Sequence, residues 1–557
     1  MVLLSPISLA CTKETSYIVQ VFPQRSRLRL IVALASVAFA FFPLARTAEA
    51  QTSPSPAASP TPAPSVTAKR DPLTLTKGNP FTINGNFRAY DFTRQNASGF
   101  PSTANQLNQQ SINFGTNIRM KYRFGTSGFS VGGSYFYSNP LNGCADPRST
   151  RFNCLTLSGP AALANPGHLN PDTTVPGYSF STFYEAYLQY EKNGLFARVG
   201  DQLINTPWAN AEDSRLKPTA FEGADVSYQV NQNVTFEVMD MSRYQSRQTN
   251  QFTQQTLLTG AITELPFTSN PPASTGGFQY GRASYANGNL VTNLHYYHFD
   301  DIANLGWLDG KYIFTRQRLK PWIAIQAGDE KNTGAAVVGR INSQVYGAQV
   351  GVNLSKNLVF TVGADVLPHH VVNLPPGSSC NTATGQITPT QTFPNPTAGV
   401  YAGANVPQCM ANGNGTFSVD EGGFASPYTF THATDPLFTT SLTQGMIDRG
   451  AGSSEKLGLT YTSTDKRLVL AVSRAYYDYG FANAPDQTAE TDGDAMYYLR
   501  PVTKVPYRGL LLRYRYGVRT DDHSSALNVP AAIAANGVFF GSLPYFVYSR
   551  AQLEYDF

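Results

Sequence analysis

Three arginines near the carboxyl end are spaced for chemistry. In Leu510 to Arg519, LLLRYRYGVR, Arg513, Arg515 and Arg519 alternate with Leu512, Tyr514, Tyr516 and Val518. Two other stretches repeat the arrangement: Arg119, Lys121 and Arg123 alternate with Ile118, Met120, Tyr122 and Phe124, and Arg198 stands between Ala197 and Val199. A guanidinium is planar, permanently charged, and offers donors in a fork that a carboxylate fits bidentately. A file of such groups along one wall attracts carboxylates and passes them from site to site. The opposing account pairs these cations with acids of the same wall, for which Glu185, Asp225, Glu237 and Glu554 are the candidates. Either way, the cations must share one face of an element whose other face is apolar.

A period of two supplies that element, because successive side chains of a β-strand point to opposite faces. The last residues, Tyr545 to Phe557, read YFVYSRAQLEYDF: Val547, Ala551, Leu553, Tyr555 and Phe557 fall on one face, Arg550, Gln552, Glu554 and Asp556 on the other. A tilted strand of about ten residues crosses a bilayer core. The stretch resembles the closing strand of bacterial outer-membrane barrels; the last strand of a β-sandwich is the other reading. Alternation starts at Phe81, with Phe81, Ile83, Phe87 and Ala89 against Thr82, Asn84, Asn86, Arg88 and Tyr90. It predicts eighteen strands starting near 81, 111, 129, 182, 195, 223, 233, 277, 289, 304, 319, 343, 357, 455, 466, 494, 508 and 545. Long connections (94–110, 139–181, 203–222, 243–276, 330–342, 367–454, 477–493, 520–544) alternate with short ones such as Lys192-Asn193-Gly194 and Ser355-Lys356-Asn357. A connection near Phe299 to Ala303 is shorter than this parity requires. Turns left in the periplasm stay short while outer loops grow, and an even strand count returns both chain ends to the periplasm. The expected fold is all-β, a transmembrane antiparallel β-barrel, and sixteen to eighteen strands leave an aqueous channel. Arg119, Lys121, Arg123, Arg198, Arg513, Arg515 and Arg519 then form a basic ladder facing that channel.

Composition agrees. The 557 residues are 41% hydrophobic, 12% aromatic and 14% charged, against roughly 25% charged for soluble domains. No run of about 20 apolar residues follows the first fifty positions, so a helical span is not expected. Residues 1–50 read as an export signal: Arg25, Arg27 and Arg29, then apolar Ile31 to Leu44, then Ala48-Glu49-Ala50. They also hold five of the 41 basic and two of the 37 acidic residues, which leaves the remainder near neutral and gives no sign of a nucleic-acid partner. Residues 51–78, beginning QTSPSPAASPTPAPSVTAKR, are expected to be an extended periplasmic arm, and 79–557 the barrel. Cys144 with Cys154, and Cys380 with Cys409, lie in Gly/Pro/Asn-rich stretches of an exported chain, and two local loop disulfides are expected. No histidine stands beside them at ligand spacing, so neither metal nor cofactor is expected.

Four stretches, in this order, resemble one family. They are GDQLINTPWANAEDSRLKP (Gly200 to Pro218) followed by Thr219-Ala220-Phe221, GAAVVGRINSQVYGAQVGVNL (Gly334 to Leu354), DPLFTTSLTQGMIDRGAG (Asp435 to Gly452) and RGLLLRYRY (Arg508 to Tyr516). The chain from about 80 onward is similar to the OprD-type substrate-specific porins of Gram-negative outer membranes. The resemblance implies an eighteen-stranded monomer or loose trimer in the outer membrane, whose third outer loop folds inward as the constriction, helped by the seventh. It implies passive diffusion of amino acids, small peptides or organic carboxylates. Asp213 and Arg215 lie in the matching motif, and either frame the eyelet or tie the loop to the wall. The Pro-rich arm and the long insert near 370–430 depart from the family pattern. The expected partners are small anionic or zwitterionic solutes, outer-membrane lipids, and the β-barrel assembly machinery through Phe557.

Other classes have weaker support. A phosphate-type anion porin calls for inward lysine clusters, whereas arginine dominates here. An enzyme needs a nucleophile beside a base, and His295, His298, His369 and His370 come with no serine motif. A receptor or adhesin using the long outer loops leaves the basic inner faces without a role.

Overall fold

In hydrocarbon an unpaired backbone N–H or C=O costs several kcal/mol, so strands that cross a membrane must pair on both edges and close. The computed structural model shows how this chain does so. It describes residues 80–96, 109–141, 179–211, 215–247, 249–258, 274–337, 341–374, 379–380, 387–388, 409–412, 414–429, 434–448, 451–479, 486–502, 509–521 and 545–557. The expected export signal and periplasmic arm, Asp213, Cys144 and Cys154 lie outside these residues, as do the side chains of Cys380 and Cys409.

Thirteen strands come first: β1 (Phe81–Asn96), β2 (Gln109–Arg123), β3 (Phe129–Pro140), β4 (Phe180–Lys192), β5 (Leu195–Gln202), β6 (Ala220–Gln229), β7 (Val234–Gln245), β8 (Phe278–Asn287), β9 (Leu290–Phe299), β10 (Ala303–Ile313), β11 (Trp322–Asn332), β12 (Asn342–Asn353) and β13 (Leu358–Leu367). Five short strands belong to the following connection: β14 (Val371–Asn373), β15 (Ser379–Cys380), β16 (Ile387–Thr388), β17 (Cys409–Ala411) and β18 (Phe417–Asp420). The wall resumes with β19 (Gly452–Thr462), β20 (Leu468–Tyr479), β21 (Asp486–Tyr498), β22 (Gly509–Asp521) and β23 (Tyr545–Asp556). Each wall strand pairs antiparallel with its sequence neighbours, and β23 pairs with β1, closing an eighteen-stranded barrel. The terminal residue completes the seam, since Phe557 exchanges both backbone hydrogen bonds with Gly85 (3.0 and 3.2 Å).

The faces follow the alternation. Phe183, Val238, Leu294 and Val472 are about 60% exposed on the outside of the barrel, where lipid covers them. Aromatic pairs gather near the short turns, among them Phe129–Tyr190 (4.9 Å), Tyr122–Phe124 (5.2 Å) and Tyr312–Phe314 (4.9 Å). These form the interfacial girdle of a membrane barrel. The β4–β5 turn places Asn193 and Gly194 at positive φ (53° and 81°), the left-handed pair that a two-residue hairpin demands and Asn-Gly supplies.

Two features differ from the sequence expectation. β21 begins at Asp486, not near 494. Residues 486–493, DQTAETDG, lack an apolar face and read as loop; they pair with β20 and β22 because their inward carboxylates have partners inside the barrel. The β3–β4 ladder shifts register between Ser134 and Tyr135. This bulge turns both Tyr184 and Glu185 inward and buries them, where strict alternation allows one.

The outward face gives a direct test. Leu294→Arg, at the centre of β9, is expected to destabilise the barrel by about 2–4 kcal/mol if it lies near the bilayer midplane. Urea unfolding from lipid vesicles should show the loss; an unchanged midpoint would mean that this face does not meet hydrocarbon.

Candidate functional site

The lumen is the candidate site; the β5–β6 and β13–β19 connections enter it, and the β7–β8 connection joins their core through Leu257, whose N–H donates to the Pro427 carbonyl (3.0 Å). The first joins β5 to β6. Ile204, Trp208, Ala209 and Leu216 are buried there. The Trp208 ring meets Trp307 of β10 edge-on at 5.1 Å and Phe424 at 4.6 Å. At its start the Leu203 N–H donates to Glu185 Oε1 (3.3 Å), so the β4 bulge delivers the acceptor that the loop needs. At its end Arg88 donates to the Arg215 carbonyl, and the Asn117 amide to the Leu216 carbonyl (3.1 Å). Gly115 leaves room for Leu216: a Cβ on it would sit 3.2 Å from the Leu216 side chain. The Lys217 ammonium is buried and donates to the carbonyls of Pro218 (3.2 Å) and Ser246 (2.8 Å). Burial holds it well below the ordinary lysine value.

The second connection joins β13 to β19. After β14–β18 it turns inward at Asp420, which accepts from the His370 and Gly422 N–H groups (2.8 and 2.9 Å) and contacts His369 Nδ1 (2.5 Å). That contact raises the His369 imidazole above its ordinary value. The loop then meets the wall through carboxylates. Ala425 N–H donates to Glu330 of β11 (2.7 Å). Thr439 donates both N–H (2.8 Å) and Oγ1–H (2.7 Å) to Asp365 of β13. Thr443 does the same to Glu490 of β21, at 2.8 Å each. Ala209 and Tyr428 form a backbone bridge between the two loops, and Tyr428 packs on Phe278 at 5.0 Å. The hydrophobic core of this protein is therefore inside the barrel, between inserted loops and wall.

The cations fall into an order set by register. Along successive rows of the sheet, Arg515 of β22 faces Arg550 of β23, which faces Phe92 of β1; Arg513 faces Gln552, which faces Tyr90; and Glu554 faces Arg88. Two rows further toward the short turns comes Arg119 of β2, then Lys121, then Arg123. The basic residues thus step diagonally down four neighbouring strands. Arg513 and Arg515 ion-pair with the same carboxylate, Asp494, with an Arg515 distance of 3.3 Å. Arg550 lies within the field of Arg515, Arg513 and Arg215, and Arg215 stacks on Phe92 at 4.5 Å. Arg88 is held by Glu554 through two hydrogen bonds (3.0 and 2.7 Å). Arg119 donates to the Tyr184 hydroxyl (3.2 Å).

The ladder expected from the sequence is therefore partly rearranged. Arg513, Arg515, Arg119, Lys121 and Arg123 belong to the line. Arg519 is buried at its upper end, opposite Glu490. Arg198 is not beside it: β3 and β4 intervene, and its guanidinium binds Gln189 (2.6 Å) and lies over Tyr187 (4.1 Å). Arg88 and Arg550 join the line, though only their inward parity was visible in the sequence. Of the acids named as partners, Glu554 holds Arg88, Glu237 holds Arg282 (2.7 Å), and Glu185 accepts from Ser134 (2.5 Å). His295 lies between Tyr280 and Asp309 (2.8 Å each).

Residues 83–364, half of the chain, match the outer membrane porin family OprD. The chain belongs to the OprD family of outer-membrane porins. Solved porins share its fold at low identity. OccK9 (OpdG) of Pseudomonas aeruginosa superposes with a TM-score of 0.57 at 13% identity, covering 86% of this chain and 98% of its own. OccAB3 of Acinetobacter baumannii gives 0.58 at 11%, covering 86% and 99%. OccK2 (OpdF) of P. aeruginosa, solved in complex with glucuronate, gives 0.56 at 11%, covering 86% and 97%. No curated protein sequence matches the chain. In this porin the short turns face the periplasm and the long loops the exterior, and the β5–β6 connection is the third outer loop.

Two outcomes follow for the loop anchors. Arg88→Ala leaves Glu554 buried beside an emptied site and should lower stability by about 3–5 kcal/mol, measured by denaturant titration of the inserted protein. For Lys217 the folded value lies below the unfolded one, so between them the unfolded chain binds more protons and stability rises with pH. Lys217→Met should remove that part of the alkaline slope; identical slopes in variant and parent would contradict it.

Proposed function

We propose that this porin passes small carboxylate-bearing solutes by passive diffusion, with amino acids, small peptides and organic acids as the solute class. One observation carries the reading: Arg513 and Arg515 share a single acid, Asp494, while Arg550 and Arg215 add charge to the same patch. Two guanidiniums on one carboxylate leave the patch with excess positive charge, which attracts a solute carboxylate, and a carboxylate fits a guanidinium fork better than a spherical anion does. Arg88, Arg119 and Lys121 continue the line toward the periplasm. The glucuronate bound by OccK2, itself a carboxylate, supports the same class.

Residues 1–50 act as the export signal and 51–78 as a periplasmic arm. Cys144–Cys154 and Cys380–Cys409 close outer loops as disulfides, and Phe557 is the residue that the barrel assembly machinery engages. Asp213 stands with Arg215 at the constriction, and the porin works as a monomer or loose trimer.

Arg513→Gln with Arg515→Gln tests the mechanism. Uptake of small carboxylates into liposomes should fall, and the reversal potential in a salt gradient should shift away from anions, more at low than at high ionic strength. If both stay unchanged in a folded, conducting variant, selectivity resides elsewhere.

A further inference from the structure

We propose that Asp365 and Glu490 are positioning residues of the pore: they strap residues 437–444 of the seventh outer loop across the wall and so set the width of the open path. The observation is a repeated clamp. Thr439 and Thr443, one helical-type spacing apart in an irregular segment, each present N–H and Oγ–H to one wall carboxylate. The two carboxylates stand on β13 and β21, and the strands between them contribute as well. Ser454 of β19 bonds Thr439 Oγ1 (2.6 Å), Lys456 of β19 donates to the Thr440 carbonyl, and the Tyr477 hydroxyl of β20 donates to the Thr439 carbonyl (2.6 Å). Four consecutive wall strands thus each hold the same short segment. On β21 the next acid, Asp492, accepts from the Leu442 N–H (3.3 Å).

The chemistry favours a strap over general packing. Each carboxylate accepts two donors from a single residue, so each bond pair forms or breaks with the position of that residue. The segment has no regular structure of its own to hold it inward, and Gly363 lets it lie flat: a Cβ there would sit 3.1 Å from the Phe438 Cβ. Asp365 and Glu490 are wholly buried beneath the segment, so they would face the lumen only after it lifts. Lifting would widen the path and add negative charge opposite the basic line. Loop contact also accounts for the acids themselves, since those occupied by the strap do not neutralise Arg513 and Arg515.

This inference rests on the lumen being the conducting path and not on the solute class, so pore size tests the strap and solute preference tests the class. The experiment is single-channel recording in planar bilayers. Asp365→Ala with Glu490→Ala should raise unit conductance over the parent. Adding Thr439→Cys with Ser454→Cys should return it to the parental value under oxidation and release it on reduction, which a merely structural role would not do. Asp365→Asn, which keeps an acceptor, should conduct like the parent. If the double alanine variant fails to assemble, Thr439→Val with Thr443→Val removes the hydroxyl from each clamp and leaves the wall intact, and should also raise conductance. Parental conductance in an assembled double alanine variant, or in the valine pair, overturns the proposal.

Discussion

Closure of the backbone is the constraint on which this porin depends. No N–H or C=O may face hydrocarbon unpaired, so β23 must find β1 across the whole length of the chain. Phe557 finishes that seam against Gly85. Once the sheet is a cylinder, parity rules each strand except at its bulges. Every second residue faces lipid, and a charged side chain near the midplane on that side costs about 2–4 kcal/mol. The cations of β2, β22 and β23 have nowhere to go but inward.

An eighteen-stranded cylinder is too wide for wall side chains to fill, and inserted connections fill part of it. Their interior is organised by kind of contact. Trp208, Phe424 and Tyr428 pack against β6–β10 as an apolar core. On the side of β11, β13 and β21 the loop is met by carboxylates that accept its backbone N–H groups. A buried N–H requires an acceptor, and an inserted loop with no strand partner takes it from acidic side chains of the wall. The acids of the lumen therefore divide between holding loops and balancing arginines.

That division decides how much of the basic line is balanced by acids of the wall. Arg88 is committed to Glu554 and to the Arg215 carbonyl, a structural post in the middle of the line. Arg513 and Arg515 share Asp494, and Arg215 reaches the same patch from the third loop. The patch lies where loop and wall meet, so its charge and the position of the loop are coupled through the same few side chains.

The amino-acid sequence alone determined the barrel: its eighteen strands, their faces, the alternation of loop lengths, and the inward direction of Arg513, Arg515 and Arg119. These follow from a period of two and the bilayer, both of which act locally along one strand. What the tertiary structure decided depends on neighbours distant in sequence. Arg88 and Glu554 are 466 residues apart, and only the closing register brings them together. The same registers admitted Arg550 to the basic line and left Arg198 outside it. The stretch 486–493 has no apolar face; its carboxylates Glu490 and Asp492 meet the inserted loop at Thr443 and Leu442, which the sequence does not place. The bulges at Tyr184–Glu185 and in the β6–β7 ladder at Glu222–Gly223 break the period of two from which the faces were read. In the sequence Asp365 has a place in a predicted strand and Glu490 a place in a predicted loop, and neither has a role, because the donors they serve belong to an irregular connection, and no periodicity says where such a connection will lie.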